Sequence, residues 1–67
     1  MDCIIGMRIK EARRLNGFSR EQVGRKIGVS QQQIARYESG ENKISADKLK
    51  IVAMILHKPV SYFYDSI

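Results

Sequence analysis

The chain has one cysteine, Cys3, one histidine, His57, and one proline, Pro59, among its 67 residues. A lone cysteine excludes an intrachain disulfide framework and suits a reducing cytosol, so a cytoplasmic location is expected. One histidine and one cysteine cannot assemble a zinc site of the usual ligand type and number, and no metal is expected. The longest apolar run, Ile51 to Leu56, is six residues, far short of the ~20 a membrane helix needs. The N-terminus carries an acid, Asp2, instead of the cationic lead of a signal peptide. No stretch alternates with period two over a useful length, so no sheet is expected. Repeats, low-complexity tracts, linkers and a glycine-rich phosphate loop are all missing. No nucleophile–base or acid–base pair stands out, which argues against an enzyme. A chain this short buries a small core, and no cofactor or small-molecule effector site is expected in it.

What is present is charge of one sign in one half. The net charge is +5, and hydrophobic residues make up 43% of the chain, enough for a folded globule. Residues 1–37 hold eight basic side chains (Arg8, Lys10, Arg13, Arg14, Arg20, Arg25, Lys26 and Arg36) against three acids, whereas residues 38–67 hold four of each. The whole excess therefore lies in the first half, the pattern expected for a polyanionic partner.

A short grammar recurs three times. Phe18-Ser19 leads to Val23, Val29-Ser30 to Ile34, and Ile44-Ser45 to Leu49. In each, Ser at the N-cap accepts a hydrogen bond from an orphan N–H of the first turn, and the apolar residue before it packs on the fourth helical position. Gln22 and Gln33 fall where a capping box would close. Gly17, Gly28 and Gly40 each follow a helical stretch, where a left-handed residue ends a helix without strain. The expected helices run from about Asp2 to Asn16, with Ile5, Ile9 and Ala12 on one face, then after Ser19, after Ser30, and from Ala46 to about His57. Leu49, Val52, Ala53 and Leu56 form the fourth helix's core stripe. Pro59 disfavours helix at Lys58. Ser61 is the expected cap of a short last helix holding Tyr62, Phe63 and Tyr64.

The second and third expected helices are joined by Gly28, Val29 and Ser30 alone, a link that sets two helices at a steep angle. From Arg20 onward the apolar positions are Val23, Ile27, Val29, Ile34 and Tyr37. Gly24, one turn before Gly28, gives up ~1 kcal/mol of helix propensity against Ala, so close packing against the third helix is expected there. Together these positions place a helix-turn-helix at residues 20–39 of a single all-α domain spanning residues 1–67. The third helix commits Ile34 and Tyr37 to the core and offers Ser30, Gln31, Gln32, Gln33 and Arg36 on the other side. Glutamine can bond adenine N6 and N7, and arginine guanine O6 and N7. Gln33 sits beside the set, and a capping role competes with reading there. Ser30 at the third helix's start, with Lys10, Arg14, Asn42 and Lys43, are candidate backbone contacts. For any one lysine, a solvated surface charge is the competing reading.

The stretch SREQVGRKIGVSQQQIARYESG, preceded by IGMRIKEARRLNGF, resembles the Cro and phage-repressor (XRE-like) type of helix-turn-helix regulators, over roughly Ile4 to Tyr64. The resemblance implies a compact five-helix, lambda-repressor-like DNA-binding domain whose third helix enters the major groove of double-stranded DNA. It matches Gln31, Gln32 and Arg36 to base-contacting positions, and Arg20 to one that contacts the backbone or a base edge. It also implies that Arg13 pairs with Glu38 as a structural lock. A transcriptional repressor bound as a homodimer to a partly palindromic operator is the function implied, with half-sites about 34 Å apart. The fourth helix and tail are greasier than one buried face requires. Ile51, Met54, Ile55, Val60, Tyr62, Phe63 and Tyr64 either seal the core or form a two-fold interface. The link His57-Lys58-Pro59 departs from the Gly-Val-Ser type usual before the family's last helix. The alternative reading is the antitoxin half of a toxin–antitoxin pair, holding a protein partner through that apolar tail.

Overall fold

The computed structural model of the protein describes residues 2–64, and of Asp2 and Cys3 the backbone alone. The expectations for Asp2 as an N-cap and for the Cys3 side chain lie outside the described residues. Five helices follow one another: α1 (Asp2–Leu15), α2 (Arg20–Ile27), α3 (Gln31–Ser39), α4 (Ala46–Ile55) and α5 (Val60–Tyr64). Helix α1 packs on α3 and α5, and α2 on α3 and α4.

All three serine caps form. Ser19, Ser30 and Ser45 have extended backbones, and their hydroxyls accept from the N–H groups of Gln22, Gln33 and Lys48 at 3.0, 3.1 and 3.2 Å. The residues before the caps, Phe18, Val29 and Ile44, pack against the core that holds Val23, Ile34 and Leu49. The first capping box closes: the Gln22 side-chain oxygen accepts from the Ser19 N–H at 2.7 Å. The second does not close, because Gln33 turns its amide to Asn42 instead, donating to Oδ1 at 3.2 Å.

The glycine stops also form, with φ of 72° at Gly17, 80° at Gly28 and 83° at Gly40. At the first, the Phe18 N–H reaches the Arg13 carbonyl and the Gly17 N–H the Arg14 carbonyl, the paired bonds of a Schellman ending. The fourth helix is a correction. It ends at Ile55, and the reversal is made by His57, whose φ is 59°, with the Lys58 N–H on the Ala53 carbonyl at 3.0 Å and the His57 N–H on that of Met54 at 3.3 Å. The chain has turned before Pro59 is reached, so proline leads into the next helix and does not break this one. Ser61 is likewise not a cap. It lies inside α5, where the Tyr62 N–H donates to the Pro59 carbonyl at 3.0 Å.

The core is Ile9, Ala12, Val23, Ile34, Tyr37, Leu49, Val52, Ala53, Leu56 and Phe63. Ile5 packs against it from α1. Helix α5 is held to α1 by Tyr62, whose ring meets Phe63 edge-on (centroids 5.1 Å apart) and lies within cation–π range of Arg8 and Lys58. Burial pushes the Tyr62 phenol above its ordinary value, Glu11 adding to the shift and Arg8 opposing it. Gly24 is close-packed, though against the turn more than the third helix: an added Cβ would lie 2.5 Å from the Val29 carbonyl oxygen. Gly6 is tighter still. A Cβ there would run into the Tyr37 and Glu38 carbonyl oxygens, so α1 crosses the end of α3 backbone against backbone.

That crossing places Arg13 against Glu38. The Arg13 Nε donates to Glu38 Oε2 at 2.6 Å and Nη2 to Oε1 at 3.4 Å, while Nη1 donates to the Phe18 carbonyl at 2.9 Å. Every guanidinium nitrogen of Arg13 is thus engaged, with its side chain 10% and that of Glu38 2% exposed.

Two stability outcomes are expected. Arg13→Ala takes from the buried Glu38 carboxylate the cation that meets both its oxygens and should cost about 3–5 kcal/mol, enough to leave a domain of this size largely unfolded in a urea titration followed by circular dichroism. His57→Gly removes the left-handed strain of a side-chain-bearing residue, and a gain of about 1 kcal/mol should raise the thermal midpoint by roughly 4–8 °C.

Candidate nucleic-acid interface

Helix α3 is nine residues long and divides by face. Ile34, Tyr37 and Glu38 are buried, spaced so that one side of the helix is fixed to α1 and α2. Gln31 and Gln32 open the first turn and are exposed. The sharp α2–α3 turn makes this presentation rigid, because the Val29 N–H returns to the Gly24 carbonyl at 2.9 Å and Ser30 caps α3 from below. Two adjacent amides therefore project from a helix start whose backbone is held from both sides.

The loop after α3 folds back on the same face. Asn42 receives the Gln33 amide, and its own N–H donates to the Arg36 carbonyl at 3.2 Å. Gln33 is half-buried and ties the loop to α3 by this bond, made in place of the capping contact expected of it. Arg36 is exposed on α3 with its Nε 3.9 Å from Glu41 Oε2, a long, solvated pair of little energy. Lys43 is exposed in the same loop. Ser30 uses an oxygen lone pair as the cap, and its hydroxyl proton is still available for donation.

Arg20 begins α2, and its Nε donates to Glu38 Oε1 at 3.0 Å, with 43% of the side chain exposed. The buried carboxylate thus serves two arginines. Sequence reasoning missed this link, and it missed the Gly6 crossing that brings Arg13 to the same carboxylate. Gly6 carried a signal, since a glycine inside an otherwise regular helix costs ~1 kcal/mol against Ala unless packing requires it.

Not every candidate is brought together. Lys10 and Arg14 share the outward face of α1 with Met7, Glu11 and Leu15, around a shallow hollow that no residue of α3 lines. The tail candidates also divide. Phe63 is fully buried in its own core and is corrected from the interface set, because a side chain enclosed within its own chain has no surface to offer a partner. Val60, Tyr62 and Ile55 are half-buried against that core. Ile51, Met54 and Tyr64 are the exposed members, Met54 most of all at 76%. Among the described residues no cluster of three or more His, Cys, Asp or Glu could hold a metal ion, and no helix is long and apolar enough to cross a membrane.

Comparison with known proteins agrees with the helix-turn-helix fold. The chain is 38% identical over 65 residues to an uncharacterized HTH-type transcriptional regulator of Sinorhizobium medicae (strain WSM419), covering 97% of this chain and 47% of that protein. It is 39% identical over 67 residues to an uncharacterized transcriptional regulator in the ATPase CF(0) region of Rhodospirillum rubrum, covering all of this chain and 62% of that protein. The chain thus spans about half the length of the first of these relatives. Among solved structures, the restriction-modification controller protein C.AhdI from Aeromonas hydrophila superposes with a TM-score of 0.83 at 21% identity, over 91% of this chain and 92% of that one, a likeness of fold. The sequence model of the helix-turn-helix family matches residues 9–63, and the chain, with its XRE-like five-helix fold, belongs to that family.

Proposed function

We propose that this chain is a sequence-specific, duplex-DNA-binding transcriptional regulator that lays the first turn of α3 in the major groove. The observation that carries the reading is the exposed Gln31–Gln32 pair on a helix start braced by the Ser30 cap and the Gln33–Asn42 contact. Glutamine amides carried on a fixed helix start can meet base edges in pairs. Arg36 reads or anchors one turn further along, Arg20 flanks from α2, and Ser30, Asn42 and Lys43 are the nearest backbone contacts. The naming of the relatives as transcriptional regulators supports the reading.

Repression by a homodimer on a partly palindromic operator is the specific form proposed. Its support is the exposed apolar set Ile51, Met54 and Tyr64 on α4 and α5, which a second copy would cover by two-fold symmetry. The same surface suits a different protein partner, as an antitoxin would need, and co-purification of a stoichiometric second chain would favour that form.

Selection of binding sites from random duplexes should return a motif with two-fold symmetry. Log affinity for it should fall linearly with log salt concentration, by ~0.9 per phosphate neutralised, and a flat dependence would refute DNA binding by this surface. Gln31→Ala or Gln32→Ala should lose about 1–3 kcal/mol of discrimination at one base position in each half-site. Lys43→Ala should instead weaken all sequences alike and reduce the salt slope by about 1. Met54→Glu should yield monomers in sedimentation and weaken operator binding, while leaving the helical content unchanged.

A further inference from the structure

We propose that Glu38 is a positioning residue for DNA recognition: its buried carboxylate holds Arg20 by Nε and so aims the outer edge of that guanidinium at acceptor atoms of the DNA. The inference rests on the DNA-binding reading above.

Arg13 alone satisfies the carboxylate. It neutralises the charge and engages both oxygens from a nearly buried side chain. A second arginine is therefore surplus to the burial of Glu38. Helix energetics do not ask for it either, since Arg20 is the first residue of α2, where the helix dipole disfavours a cation. Yet Arg20 is tied to Glu38 Oε1 at 3.0 Å while 43% of its side chain stays exposed.

The chemistry of the anchor explains what this arrangement can do. A guanidinium held by Nε presents Nη1 and Nη2, a planar fork matched to paired acceptors such as two phosphate oxygens or guanine O6 and N7. An unanchored arginine must give up its rotamer freedom when it binds. Held by Glu38, Arg20 gives up that freedom during folding, so less is lost on the DNA. Lysine cannot substitute, because one ammonium cannot both hold Glu38 and present a fork. The carboxylate of a scaffold ion pair thus becomes part of the recognition surface without touching the DNA.

The test is a double-mutant cycle on the full chain, read by fluorescence anisotropy with a selected operator duplex and a scrambled duplex. The variants are Arg20→Ala, Glu38→Gln, both together, and Arg20→Lys. Glu38→Gln makes the protein more positive, so net charge alone would strengthen its binding to DNA. The expected result is the opposite: a loss of about tenfold when Arg20 is present, and of no more than about twofold in the R20A background. An equal loss in both backgrounds, or a gain, overturns the proposal. Arg20→Lys keeps the charge and leaves Glu38 paired to Arg13, so it remains informative should Glu38→Gln unfold the chain. It is expected to bind as weakly as Arg20→Ala, and wild-type affinity overturns the proposal. Loss confined to the selected operator assigns the fork to a base edge, and loss on both duplexes assigns it to phosphate; either supports the positioning role. Wild-type protein that binds no duplex at any salt concentration overturns the DNA-binding reading itself, an outcome distinct from a wild type that binds without coupling.

Discussion

A buried carboxylate sets the geometry of this fold. Glu38 lies in the last turn of α3, 2% exposed, where the helix dipole and the loss of water both oppose its charge. Such a group survives inside a protein only if cations meet it with good geometry. Arg13 comes from α1 and Arg20 from α2, so three helices converge on one side chain, with Arg13 meeting its charge and Arg20 held in addition. The approach is possible because Gly6 lets α1 press on the carbonyls of Tyr37 and Glu38. With α1 and α2 both pinned to the far end of α3, the near end, with Gln31 and Gln32, is left uncovered.

Most of this was legible in the residues because its signals are local. A serine cap with an apolar residue before it acts within five positions, and a glycine stop within two. Those rules located Ser19, Ser30, Ser45, Gly17, Gly28 and Gly40 correctly. The failures arose where a distant partner outbid the local one. Gln33 had a capping contact within three residues, yet its amide went to Asn42, nine residues on. His57 takes a conformation that favours glycine, because closing α4 there lets Leu56 and Phe63 enter the core from either side of the bend. Phe63 looked like surplus grease for the same reason: its place in the core depends on α5 folding back beneath α1, which no local pattern states. The Arg13–Glu38 lock was reached only through family resemblance, and the second arginine on that carboxylate was not anticipated at all.

The positive charge takes on a different meaning once the side chains are placed. The first half carries the whole positive excess, but many of its cations already have company. Arg13 and Arg20 are on Glu38, Arg25 is 3.2 Å from Glu21, Arg8 lies 3.6 Å from Glu11 and over Tyr62, and Lys26 sits over the Phe18 ring. Pairing inside the fold does not remove the excess from the long-range field, which depends on net charge and steers an approaching polyanion. Burial takes Arg13 from the contact surface, whereas Arg20 keeps an exposed fork and Arg25 stays 77% exposed in a surface pair of little energy, so position on the fold decides which cations can meet a phosphate. The basic half therefore supports attraction to DNA more than it identifies contacts. On the proposed reading, contact falls to a much smaller set around α3, the amides of Gln31 and Gln32 with Arg20, Arg36 and Lys43. On that reading such a surface draws its affinity from the field and a few flanking charges, and its selectivity from amides carried on a helix start that the turn and the cap hold in place.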